Sequence, residues 1–200
     1  MAMKRIYPNK NIYVAKYYPR QNFAYTPYLY LSQYRQPGDI YRTLMQFSLR
    51  CIPRHHCIDT ARLHLTMYRN EIPPGLVVRC GLKRVLEPWL EKCVTWNSQP
   101  PSKLATSFTA CFTDRPGTVL SKDVTHLVRS WYKGRKRNHG IVLTGDEFQN
   151  SLIGLYSTNY PDWTVWPYLE VHYHKARRTR CARRHRTHRH RYTCRKRGRC

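Results

Sequence analysis

Acidic residues are scarce in this chain: 11 Asp and Glu stand against 36 Lys and Arg among 200 residues. Acid–base chemistry by a carboxylate pair needs two such groups held about 5–9 Å apart in a cleft. The candidates are Glu87, Glu91 and Asp123. Glu87 and Glu91 flank Trp89 with no spacing that makes them converge, and Asp123 has a structural task described below. The GxSxG, HExxH and P-loop signatures are missing too, so nucleophile, zinc-hydrolase and nucleotide chemistry each lack their motif. The expectation is a non-enzymatic protein with no cofactor.

No apolar run approaches the ~18 residues that cross a bilayer as a helix. The start, Met1-Ala-Met-Lys-Arg-Ile-Tyr-Pro8, is basic but reaches Pro8 without an apolar core, so no secretory signal is expected. An extracellular destination would then need another exit, such as lysis of the producing cell. No CxxC pair occurs either. Of eight cysteines, five (Cys51, Cys57, Cys80, Cys93 and Cys111) precede the basic C-terminal segment, and this odd number leaves a disulfide framework confined to the body incomplete. Buried thiols in the body and reactive ones at Cys181, Cys194 and Cys200 are expected, with disulfide-linked self-assembly as one use for the latter.

What the chain has in excess is positive charge. Residues 175–200 hold 13 of the 36 basic residues and no acid, which leaves the body 23 basic against 11 acidic. Such a field favours polyanions: nucleic acid, teichoic-type polymers, acidic polysaccharides or anionic protein surfaces. The C-terminal segment has no apolar periodicity and is expected to be disordered. Within it Arg177, Arg178, Arg180, Arg183, Arg184, Arg186, Arg189 and Arg191 are the polyanion-binding candidates, acting by charge neutralisation without base readout. His185, His188 and His190 with Cys181 and Cys194 offer weak soft-metal ligands, although a solubilising or anchoring role explains the composition more simply.

The body reads as short strands. Ala61-Arg-Leu-His-Leu-Thr-Met-Tyr68 alternates most cleanly, with Ala61, Leu63, Leu65 and Met67 inward. Further strands are expected at 11–17, 28–32, 43–49, from 76, and at 107–113, 140–144, 152–157 and 168–172, separated by turn signals such as Gln36-Pro-Gly-Asp39. Glu87-Pro-Trp89 and Val94-Thr-Trp-Asn-Ser-Gln-Pro-Pro101 form an irregular connection pinned by two tryptophans. One helix interrupts the pattern, with Asp123 as its N-cap, Val124, Leu127, Val128 and Trp131 on one face, and Gly134 closing it. Trp131 is expected to be its deepest anchor. Together these predict an all-β antiparallel sandwich over residues 1–174, with one short helix, followed by a polybasic tail over 175–200.

These motifs, in this order, resemble the DNRLRE domain family. The carriers are Arg42-Thr-Leu-Met-Gln-Phe-Ser-Leu49 with Ile52-Pro53, Ala61-Arg-Leu-His-Leu65, Trp89 with Val94-Thr-Trp-Asn97 and Pro100, and Asp123-Val-Thr125 through Trp131 and Gly134. Gly140-Ile-Val-Leu143 and Pro167-Tyr-Leu-Glu-Val171 complete a resemblance that covers residues 5–174. It implies a jelly-roll-like β-sandwich, grouped with carbohydrate-binding modules and found in secreted, wall-associated and adhesive proteins. The cysteines and the basic tail fall outside the family pattern. Separately, the Tyr-, Cys-, His- and Arg-rich composition resembles spore-coat proteins.

Two local clusters invite chemistry. Cys51-Ile-Pro-Arg-His-His-Cys57 gathers zinc-type ligands (Cys51, His55, His56, Cys57), but with no standard finger spacing and on an ordinary turn. Tyr160-Pro-Asp-Trp-Thr-Val-Trp-Pro-Tyr168 offers Tyr160 and Trp163 for stacking on a sugar, with Asp162 and Asn159 as polar partners, while Trp166 reads as closing the sandwich end. Nine of the 16 tyrosines fall in the first 41 residues, and alternating ones such as Tyr28 and Tyr30 should cover one sheet face, open to stacking or oxidative crosslinking. The leading expectation is a structural or adhesive component of a bacterial surface layer, with a spore coat as setting and coat or envelope proteins or surface polysaccharide as partners. A dedicated carbohydrate-binding protein and a polyanion or nucleic-acid binder are the alternatives.

Overall fold

The structure, a computed structural model, describes residues 1–111 and 113–176. The arginines proposed for polyanion contact, Arg177 to Arg191, and the tail cysteines lie outside the described residues.

Eleven strands and one helix follow in order: β1 (Ala2–Ile6), β2 (Pro8–Ala15), β3 (Tyr28–Gln33), β4 (Ile40–Phe47), β5 (His56–Asn70), β6 (Val77–Val85), β7 (Ser102–Cys111), β8 (Val119–Asp123), α1 (Thr125–Tyr132), β9 (Ile141–Thr144), β10 (Ile153–Tyr156) and β11 (Tyr168–Lys175). Every strand-to-strand ladder is antiparallel. The all-β expectation therefore holds, and β1 and β8 are strands that the pattern did not reveal.

The two layers of the sandwich are halves of one curled sheet. β5 carries β11 along its N-terminal part, β8 beside Arg62 to Thr66, and β10 along its C-terminal part. β10 in turn pairs with β3, and the end of β3 reaches β4 through Ser32↔Tyr41 and Gln33↔Ile40. The other half then runs β4, β9, β6, β7, with β2 also on β4. A register shift between Gly154 and Leu155 marks where β10 bends against β5, as a bulge allows.

Alternation in β5 places Ala61, Leu63, Leu65 and Met67 in the main core, where they meet Leu29, Leu31, Phe47, Leu143 and Leu155. A second, smaller core of Ile12, Val14, Leu44, Val85, Val142, Trp89 and Val94 lies beneath the irregular connection 86–101, with Trp96 packed against it. Trp89 donates its indole N–H to the carbonyl of His139 at 2.8 Å, so this tryptophan does pin the connection.

The helix is laid on the sheet as its pattern demands. Leu127, Val128 and Trp131 are buried, and Arg129 donates to the carbonyls of Ile58 and Asp59 on β5, both at 2.8 Å. Val128 is the more deeply buried: it has no exposure, against 7% for Trp131. Asp123 acts one position earlier than expected. It ends β8, Val124 occupies the cap, and the Asp123 carboxylate accepts the N–H of Thr125 at 2.9 Å. Gly134 takes the left-handed conformation (φ 68°) that closes the helix, its N–H donating to the carbonyl of Trp131. No helix among the described residues is long and apolar enough to cross a membrane.

Candidate functional site

The largest concentration of one side-chain chemistry is tyrosine. Tyr28 and Tyr30 alternate with the buried Leu29 and Leu31 on β3, so their rings leave the core. The register Tyr156↔Tyr28 and Gly154↔Tyr30 sets Tyr156 beside them and leaves a gap at Gly154. Tyr68 of β5 fills that gap. Its ring stacks on Tyr28 with centroids 4.1 Å apart and its hydroxyl donates to the Tyr30 hydroxyl at 2.6 Å.

The array extends both ways. Tyr30 meets Tyr13 edge-on at 5.0 Å, and Tyr13 stacks on Phe23 at 4.5 Å and approaches Tyr41 at 5.9 Å. At the other end Tyr160 packs on Tyr156 at 4.5 Å and Tyr28 at 5.8 Å. Five elements thus contribute rings that hold one another, each pair adding about 0.5–1.5 kcal/mol beyond simple burial. Burial, first, and the neighbouring phenols hold the Tyr13, Tyr68 and Tyr156 hydroxyls above the usual tyrosine range; for Tyr41, burial acts first and Asp39 second. These phenols are therefore neutral at neutral pH and supply hydroxyl donors and acceptors to the face.

A second ridge continues from Tyr160, whose carbonyl accepts the indole N–H of Trp166 at 2.7 Å. Trp166 is half-buried and meets Tyr7 edge-on at 5.7 Å; Tyr7 approaches Tyr168, and Tyr168 stacks on His64 at 4.5 Å and has the Arg5 guanidinium 5.0 Å from its ring centroid. Burial pushes the His64 imidazole below its ordinary range, which keeps the stacked ring neutral.

The three residues singled out for sugar contact are placed unequally. Tyr160 belongs to the array. Trp163, in a single 3₁₀ turn, is 60% exposed and makes no ring contact among the described residues. Asp162 caps that turn: its Oδ1 accepts from the Thr164 N–H at 2.9 Å and the Thr164 hydroxyl at 2.6 Å, and these bonds hold its carboxyl below the usual range. Tyr13, Tyr41, Tyr68 and Tyr156 were not singled out, because they come together only through strand register.

The remaining candidates do not assemble. Among the described residues no group of three His, Cys, Asp or Glu side chains converges as a metal site. His56 is bonded to the Arg54 carbonyl and packs on Tyr173, while Cys51 is exposed. All five cysteines of the described residues are free thiols, and burial pushes Cys80 up to about 12. Glu91 accepts the Asn11 N–H at 2.6 Å, whereas Glu87 is exposed.

The model of carbohydrate-binding module family 96 matches residues 2–173. The chain belongs to this family. No curated protein matches it. By its description, family 96 is a family of carbohydrate-binding modules.

Proposed function

We propose that this family 96 module binds polysaccharide non-catalytically on its tyrosine face, with Tyr28, Tyr156 and Tyr160 stacking on sugar rings and Trp163 extending the contact. The observation that carries the reading is the interlocked array itself: flat, neutral, hydroxyl-edged rings held in place before any ligand arrives. Sugar C–H faces favour such rings, and preorganisation lowers the ordering cost of binding. The basic surplus of the body favours an acidic polymer over a neutral one. In this proposal the protein works as an adhesive at a bacterial surface layer, a spore coat included, and its basic C-terminal segment grips polyanions there.

Affinity electrophoresis against a panel of neutral and acidic polysaccharides tests it. Retardation by at least one polymer, reduced in both Tyr156→Ala and Trp163→Ala, is expected. Retardation unchanged in both variants would place binding elsewhere on the module.

A further inference from the structure

We infer that the cleft between the approach to α1 and the β6–β7 hairpin is a binding site for a tetrahedral oxyanion, a sulfate or phosphate group either free or carried as an ester. The cleft encloses about 540 Å³ and shares no residue with the tyrosine face. Arg84 of β6, Lys103 of β7, His126 of α1 and Lys136 from the loop after α1 line it, over an apolar wall that includes Val124 and Leu127.

The cations of this cleft are unpaired. Arg42, Arg69 and Arg129 are each hydrogen-bonded to a carboxylate or carbonyl. Among the described residues, the side chains of Arg84, Lys103 and Lys136 make no hydrogen bond or ion pair. The single acid in the lining, Asp123, is ionised and offsets one of the three cations. Its carboxylate takes the Thr125 N–H, the bond that chiefly holds it below the usual carboxylate range, and Arg62 and Lys122 add to that effect from outside the cleft.

Three cations against the one carboxylate of Asp123 leave two surplus positive charges in the empty cavity, and an anion offsets them. A monovalent carboxylate offsets one of them. A sulfate or phosphate group brings up to two charges and acceptor oxygens in several directions, which suits one guanidinium and two ammonium groups arriving from three elements. The apolar wall restricts solvent on one side and so strengthens the field across the cleft.

The test is a titration of the full chain with sodium sulfate, ionic strength held constant with chloride, followed by amide chemical shifts. Saturable shifts at residues 104–106 and 126–127 are expected. The triple variant Arg84→Gln, Lys103→Gln, Lys136→Gln should weaken half-saturation by about tenfold or more, the scale of one lost charge-assisted hydrogen bond. A charge-matched control, Lys16→Gln, Arg20→Gln, Arg115→Gln, should keep it. Five of the six positions are exposed and Arg84 is half-buried, and glutamine keeps most of each aliphatic stem, so an unchanged unfolding transition will show both variants folded. Shifts that never saturate, that spread over the whole basic surface, or that weaken equally in both variants would overturn the proposal. A second arm compares inorganic phosphate with a sugar phosphate monoester at a pH where both are dianions: tighter binding of the ester at the same amides assigns the group to a glycan, and equal or weaker binding assigns it to the free ion.

Discussion

The ring of Tyr68 occupies the space in which a side chain on Gly154 would stand. A Cβ built at Gly154 would come within 2.5 Å of Tyr68 Cε1 and 2.8 Å of Cζ. No real methyl tolerates that approach, so the strand interior glycine is what lets Tyr68 lie across β10 between Tyr28 and Tyr30. Gly154→Ala should push the ring out and break the Tyr68–Tyr30 hydroxyl contact. The expected cost is roughly 1–3 kcal/mol in a denaturant unfolding curve, typical of overpacking. An unfolding midpoint equal to that of the parent chain would show that the ring relocates freely.

Tyr68→Phe separates stacking from hydrogen bonding at the same point. The stacked ring against Tyr28 stays, while the 2.6 Å bond to Tyr30 goes. Stability should fall by about 0.5–1.5 kcal/mol, the net worth of one hydrogen bond. Polysaccharide retardation should change less than in Tyr156→Ala, and a larger loss would mean that the hydroxyl pair itself contacts sugar.

Asn11 ties the loop that carries Tyr160 to the sheet. Buried in β2, it donates to the Thr158 hydroxyl at 2.7 Å, accepts the Thr158 N–H at 2.8 Å, and its own N–H is taken by Glu91. Asn11→Leu leaves the half-buried Thr158 amide without its partner, for an expected loss of ~1–2 kcal/mol. Hydrogen exchange should accelerate at residues 157–160 before it does elsewhere. Uniform acceleration would argue against a local tie.

Alkaline pH should weaken the fold. The Tyr13, Tyr41 and Tyr68 hydroxyls are raised in the folded chain, so above about pH 10 the unfolded chain has released protons that the folded one retains. Fewer protons on the unfolded state means that stability falls as pH climbs through that value, and is fully present below it. Tyrosinate absorbance during titration should show a late phase above the ordinary tyrosine range, from Tyr13, Tyr41 and Tyr68. A single phase at the ordinary tyrosine value would contradict the buried set.

Trp131 is buried, yet its indole N–H finds no partner among the described residues. Its ring shares an apolar pocket with Phe47, Leu63, Ile141 and Leu169. Trp131→Ala should cost about 3–5 kcal/mol through the cavity it opens. Trp131→Phe should cost clearly less, since it sheds an unsatisfied donor along with part of the ring. Equal losses in thermal or chemical unfolding would indicate that the N–H is bonded to water in solution.

Much of this fold was legible because the sequence obeys short periods. The alternation of Ala61 to Met67 and the three- and four-residue spacing from Val124 to Trp131 each place their buried faces correctly. β1 escaped notice because Ala2 to Arg5 are exposed on an edge, so no alternation marks them. β8 is short, with Val119, Ser121 and Asp123 exposed. The helix began one residue late because Asp123 bonds Thr125 as a local turn does, which spacing alone does not separate from a cap.

The candidate site was half visible. Tyr28 and Tyr30 announced a shared face, and Tyr160 was named for its neighbourhood. Tyr68 and Tyr156 were not, since only the pairing of β10 with β3 and β5 brings them alongside. Asp162 carried a readable clue: a threonine two residues later can take up its carboxylate, which leaves less of it for a ligand.

The chain crosses between the two halves of the curled sheet at nearly every early connection, from β1 to β2, β2 to β3, β3 to β4, β4 to β5 and β5 to β6. A module joined this way offers no seam. No single nick or fusion point sorts the strands of one half from those of the other, because the two sets alternate along the sequence.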